Sequence, residues 1–288
     1  MANLKELRSR ISSVGSTMQI TSAMKMVSAA KLSRAQDAIV SMRPYAEKLT
    51  ELLQGLSSTI EGDVSSPLTE EREVKNVLIV AVSSNRGLAG AFNTNIIKKV
   101  KELESGIYAN QNVEVLTIGK KANDILKKTL TIFDHNQDIY DDLSFSNSAE
   151  ISNQIMHTFE KKKFDKVVVV YNHFKNAATQ FIKAEDYLPL VAEKTETPNT
   201  QQVDYIFEPE KDEILKELIP KALKIQLYKA IRDSSASEHG ARMTAMHKAT
   251  ENAQELRDGL KLTYNKARQA AITNEILEIV AGAEALED

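Results

Sequence analysis

Cysteine and tryptophan are missing from these 288 residues, and aromatic residues of all kinds reach only 6%. Without cysteine there is no disulfide framework, no thiolate nucleophile and no thiolate metal site, and a reducing compartment fits. No apolar run approaches the roughly 20 residues that a membrane-spanning helix needs. The opening MANLKELRSRISS also lacks the apolar core of a secretory leader, so the expected setting is cytoplasmic or peripheral to a membrane. A formal net charge of -3 argues against a dedicated nucleic-acid binder, although residues 1–48 hold eight Lys and Arg against three Asp and Glu. That basic end calls for an acidic partner or a solvated face.

What is present is helix-forming. Both ends are rich in Ala, Lys, Glu, Leu, Met and Arg. Apolar positions recur at threes and fours through Leu4, Leu7, Ile11, Val14 and Met18, then Ile20, Met24 and Val27, and later Leu32, Ala35, Ile39, Met42, Leu49, Leu52 and Leu56. One amphipathic helix is expected over this stretch, with Pro44 as a kink or local bend. From about Lys211 the pattern resumes through Leu215, Leu218, Leu223, Leu227 and Ile231, then Met246, Ala249, Ala253, Leu256, Leu260, Tyr264, Ala267 and Ala271. Patterns this long with polar outer faces predict an antiparallel intramolecular coiled coil, whose alanines let the two backbones approach closely. At 1.5 Å per residue the helices measure on the order of 80 Å and 110 Å, which leaves about 30 Å of the second without a partner. Its tip carries Ile272, Ile276, Leu277, Ile279, Val280 and Leu286, and exposed apolar surface of that kind implies another protein around it.

Between the helices, VKNVLIVAV reads as a buried strand, AFNTNIIKKVKEL as a helix, VEVLTIG as a strand and KKANDILKKTL as a helix. Another helix follows in SNSAEISNQIMHTFEKKK, then the buried strand KVVVVYNHF and an extended edge segment TQFIKAEDYLPL. The expected organisation is a shaft helix over 1–60, a small, mostly parallel, Rossmann-like α/β domain over 74–192, and a second shaft helix over 210–288, with Ala192 to Pro209 as return linker.

The loop SSNRGLAGAFN resembles a phosphate-binding turn, because glycine permits backbone approach and helix N-termini attract anions. Gly87 and Gly90 nevertheless make neither GxGxxG nor a Walker loop, and a tight structural turn is the better reading. The five histidines lack metal-ligand spacing, with His239 and His247 eight apart, so packing or surface roles are expected. Asp141 and Asp142 read as solvated turn residues. No aromatic residues interleave Lys25, Lys31 and Arg34, so an acidic protein surface suits that basic helix better than nucleic acid. Met24 and Met26 read as seam residues. Arg268, Gln269, Thr273, Glu275 and Glu278 form a polar set near the tip.

ITNEILEIVAGAEA, with Ile272, Thr273, Glu275, Glu278, Gly282, Ala283 and Ala285, resembles the C-terminal signature of the γ subunits of F-type ATP synthases. ITSAMKMVSAAKLSRAQ, SSNRGLAGAFN, ASEHGARMTAMHKATENA and YNKARQAAI resemble the same family in the same order, from end to end. The resemblance implies a non-catalytic rotor that binds no cofactor or metal: a coiled coil inside a ring of α and β subunits, and an α/β foot on the ε subunit and the c-ring. By position, Met24 and Lys25 would pass the acidic lever segment of a β subunit, and Arg268 and Gln269 would meet a β loop in one rotational state. Thr273, Glu275 and Glu278 would share that coupling region, and Ile276, Leu277, Ile279, Val280 and Leu286 would turn in an apolar collar. Rotation would then bias nucleotide affinity through differential contact. Ala89 stands where many relatives carry Cys, and Gly240 where they carry Ala, the latter read as a point of local flexibility. No chloroplast-type regulatory insertion or transit peptide is seen, so a bacterial-type subunit on the cytoplasmic face is expected. The rival readings are a coiled-coil tether, which leaves the apolar tip unexplained, and a nucleotide-binding α/β enzyme built on the Gly87 to Gly90 turn.

Overall fold

The computed structural model describes residues 4–58, 67–190 and 211–287, so the linker expected at 192–209 lies outside it. In chain order the elements are α1 (Leu4–Ser58), β1 (Asn76–Val82), α2 (Phe92–Ser105), β2 (Asn112–Ile118), α3 (Lys120–Leu126), β3 (Thr131–Asn136), α4 (Phe145–Glu160), β4 (Lys166–Phe174), β5 (Gln180–Leu188) and α5 (Lys211–Glu287). β3 is not anticipated by the sequence pattern. Its TIFDHN is half-buried at an edge and bulged against β2, so it shows neither an apolar run nor clean alternation.

The sheet runs β3-β2-β1-β4-β5, all neighbours parallel except the antiparallel edge strand β5. β1 and β4 are buried on both faces, which is why NVLIVAV and VVVVY read as continuous apolar runs. Val77, Ile79 and Ala81 pack with Ile96, Val100 and Leu103 of α2 and Ala122 and Leu126 of α3. Leu78, Val80 and Val82 pack on the other face with Ile151, Ile155 and Phe159 of α4 and Leu215 to Ile231 of α5. Helices therefore cover both faces of the sheet. α4 starts where the Ser144 hydroxyl accepts from the Asn147 N–H at 3.4 Å.

By contact the chain divides into a larger unit, Ala29–Arg242, and a smaller one, Met1–Ser28 with Met243–Asp288. In the larger unit Lys31 lies near Glu238 and His239, and Tyr45 near Lys221, so α1 and α5 run antiparallel there. α1 buries Leu32, Ala35, Ile39 and Leu49. α5 is enclosed by the sheet on one side and α1 on the other, and this explains its small residues Ala230, Ser234, Ala236, Ser237 and Gly240. Gly240 is not a point of flexibility: a Cβ there would sit 3.2 Å from the Ala177 Cα and carbonyl oxygen in the β4–β5 turn. Close packing, not pliancy, accounts for this glycine. Pro44 and Pro220 both lie inside uninterrupted helix.

In the smaller unit the sheltered face of α1 includes Leu4, Leu7, Ile11, Val14, Met18, Thr21, Lys25 and Ser28, alternating steps of three and four. The matching face of α5 is Met246, Thr250, Ala253, Arg257, Leu260, Tyr264 and Ala267. Thr21 and Thr250 join hydroxyl to hydroxyl at 2.8 Å, and each also donates to its own helix, to the carbonyls of Met18 and Met246. Four large apolar residues expected in the seam are instead exposed: Ile20, Met26, Val27 and Leu256. The heptad frame passes through Thr21 and Ser28, and those four fall outside it.

Candidate functional site

In a doubly wound sheet the ligand crevice lies beyond the carboxyl ends of the strands, where strand order reverses. Here the reversal is between β1 and β4, and α5 occupies it. Ser234 Oγ donates to the Val82 carbonyl at the end of β1 (3.4 Å), and Ser237 Oγ to the Asn172 carbonyl of β4 (3.0 Å). Asp233 Oδ2 lies 2.6 Å from His173 Nδ1. The Arg242 guanidinium donates to the carbonyls of Arg86 (3.2 Å) and Gly87 (3.3 Å) and lies 2.7 Å from Glu238 Oε1. The SSNRGLAGAFN turn thus faces α5 with carbonyl oxygens, which would repel phosphate. Its backbone is held by the protein itself, with Ser84 N–H on Asn93 Oδ1 and Asn85 bridging the Lys120 N–H and the Gln137 carbonyl. Gly90 and Leu88 both take positive φ, 57° and 61°, and the tight structural turn is what the loop forms.

Burial raises the Glu238 carboxyl against the opposing pull of Arg242, Lys31 and Arg86, and raises Asp233 against His173 and Lys229. His239 moves the other way: burial, then Arg242 and Lys31, push its imidazole down to about 4 from 6.5. Its folded value lies below its unfolded one, so its contribution to stability is complete above 6.5 and is lost as pH falls toward 4. Glu238 and Asp233 have the opposite sign, because raised carboxyls penalise folding least once protonated. Replacing His239 with Asn should therefore flatten the acid limb. Between about pH 7 and pH 5 the parent should lose roughly 1 kcal/mol more than H239N, allowing for solvent screening at a partly exposed ring. Urea titrations at the two pH values measure this, and parallel losses would show that His239 is not buried as a neutral ring.

The smaller unit holds the residues assigned by sequence to partner contact. Met24 and Lys25 are half-buried, and the Met24 carbonyl accepts from Ser28 Oγ at 2.8 Å. Arg268, Gln269, Thr273, Glu275 and Glu278 are all exposed, with Thr273 Oγ1 bonded to the Gln269 carbonyl at 2.9 Å. Ile276, Leu277, Ile279 and Val280 are 51–66% exposed. The side chain of Leu286 lies outside the described residues. These residues do not form one cluster. With Thr21 beside Thr250, Met24 lies near the level of residue 247, whereas Arg268 is about 32 Å farther along α5. Antiparallel pairing takes Leu4 to about residue 267, and from there on, for about 30 Å, α5 has no helix beside it among the described residues. On that stretch Ile272, Ile276, Ile279 and Val280 share one side, Glu275 borders it and Glu278 lies toward the other.

Sequence reasoning missed Asp233, Ser234, Ser237, Glu238 and Arg242. They look like an ordinary polar stretch because a helix enclosed on all sides has no apolar stripe. The available signal was the density of small residues in ASEHGAR beside charges that have to be paired.

Residues 3–286 match the family model described as ATP synthase. The chain is 68% identical over 286 residues to an ATP synthase gamma chain of Christiangramia forsetii, and 64% to one of Flavobacterium psychrophilum, each match spanning 99% of both chains. Among solved structures it resembles the central stalk and c-ring structure of the Tetrahymena thermophila mitochondrial ATP synthase, at TM-score 0.58 and 25% identity, covering 80% of this chain and 99% of that one. It shares its fold with a chain of the Euglena gracilis mitochondrial ATP synthase, at TM-score 0.69 and 20% identity, covering 98% and 94%. An end-to-end match at this identity, on helical ends flanking a mostly parallel sheet, leads to one conclusion: the chain belongs to the ATP synthase gamma chain family.

Proposed function

We propose that this chain is the central-stalk rotor of a bacterial ATP synthase, coupling ion flow through the membrane sector to conformational change in a catalytic ring of α and β subunits. The helical ends, 1–60 and 210–288, serve as the shaft, and residues 74–192 as the foot on the ε subunit and c-ring. Among the described residues no helix is long and apolar enough to cross a membrane, so membrane association runs through the complex, on its cytoplasmic side. The observation that carries this reading is the stretch of α5 beyond Ala267, whose apolar side chains are exposed and have no helix beside them among the described residues. A tether has no need of such a tip, whereas a shaft turning in an apolar collar does. Likeness to the Tetrahymena central stalk and c-ring structure supports the same placement.

Met24 and Lys25 pass an acidic β segment, and Arg268, Gln269, Thr273, Glu275 and Glu278 meet β loops in particular rotational states. Each orientation of the shaft favours one β conformation over the others, and that differential contact is the coupling free energy. Native mass spectrometry of a tagged copy released gently in detergent tests the assembly. One copy with an α and β ring, ε and a c-ring is expected. A chain recovered alone or as a self-associated bundle, under conditions that keep other complexes intact, would favour a scaffold.

A further inference from the structure

The apolar part of the contact between α5 and the sheet, Leu215 to Ile231, is broad and non-directional, and such a contact resists separation far better than sliding or twisting. Directional contacts begin where it ends. Asp233 reaches His173 and Ser234 reaches Val82. One turn on, Ser237 reaches Asn172, a further turn brings Gly240 against the Ala177 backbone, and Arg242 then takes the carbonyls of Arg86 and Gly87. These contacts reach both strands at the switch point as well as two loops. The larger compact unit ends at Arg242, and the smaller one resumes at Met243.

We propose that Asp233, Ser237, Gly240 and Arg242 form a clasp at the switch point of the sheet that fixes the azimuth of α5 and carries torque from the α/β layer into the helix. This rests on the rotor reading and adds to it the place where torque changes hands. α5 sits where a doubly wound sheet would hold a ligand, so the fold's most convergent set of polar groups is used for mechanical registration. Hydrogen bonds suit the task because their strength depends on angle and distance, and a rotated helix loses several at once. These are positioning residues, and none of them touches nucleotide.

The test uses the complete complex in sealed vesicles, with ATP hydrolysis and ATP-driven proton pumping measured together. Combining Asp233→Ala with Ser237→Ala should lower protons pumped per ATP hydrolysed at least about twofold while hydrolysis continues. Leu223→Ala, in the apolar part of the same helix, should lower the melting temperature yet leave the ratio unchanged. If the double variant fails to assemble, Ser237→Ala alone should lower the ratio and Ser237→Thr, which keeps a hydroxyl, should restore it. An unchanged ratio in the clasp variants, or an equal fall in L223A, would overturn the clasp. Unsubstituted vesicles that hydrolyse ATP without pumping would instead contradict the rotor reading itself.

Discussion

Aspartate at both Ile276 and Ile279 should leave the chain folded as before and uncouple the complex that contains it. Both side chains are more than half exposed, Ile276 at 55% and Ile279 at 66%, and exposed sites of this kind usually shift stability by no more than about 0.5 kcal/mol. The same substitutions place two charges where an apolar collar would have to desolvate them. The cost is several kcal/mol if they stay ionised, on the order of a hundredfold or more in the population of the correctly seated shaft. Thermal melting of the isolated chain together with ATP synthesis by the reconstituted complex measures both parts. Unchanged melting with lost synthesis is expected, and normal synthesis would mean that the tip bears on nothing.

The second large effect concerns stability alone. Gly119 links β2 to α3 at φ 96°, a conformation side chains rarely adopt, and its N–H donates to the Asn136 carbonyl at 2.8 Å. A Cβ there would meet the Ser83 carbonyl oxygen at 2.5 Å and Ser83 Oγ at 3.0 Å. Ser83 cannot move aside cheaply, since its N–H and hydroxyl both donate to the Ile118 carbonyl and its Oγ accepts from the Ala122 N–H. Gly119→Val combines backbone strain with a backbone clash beside β1, and should cost at least about 3 kcal/mol. Urea denaturation of the isolated chain reads it directly. A loss below about 1 kcal/mol would mean that β2 and α3 can separate from Ser83 without consequence.

How much of this was legible in the sequence follows from how each residue meets its surroundings. β1 and β4, buried on both faces, announced themselves as apolar runs, and the long helices as spacing by threes and fours. β3 did not, because a bulged edge strand containing Asp134 and His135 has no pattern to show. The seam of the smaller unit was followed by hydrophobicity through Ile20 and Val27, but the helices meet through Thr21 and Ser28, where small hydroxyl residues pack closely. Hydrophobicity alone could not prefer that frame; strict alternation of steps from Leu4 onward could have. The polar clasp was hidden for the same physical reason, since residues from Asp233 to Arg242 are buried through pairing and not through apolarity. The unpartnered tip was foreseen from unequal helix lengths, because length depends only on residue count and helical rise.

As a rotor, this chain turns. Because it has no cysteine, a single cysteine at Ile107, 71% exposed in the α/β layer, would take a probe at one defined place. With the catalytic ring fixed to a surface and a bead on that cysteine, ATP should drive stepwise rotation in one direction, slowing as ATP is diluted. A bead that stays still, or only fluctuates, while the same immobilised complexes hydrolyse ATP at full rate would contradict the account.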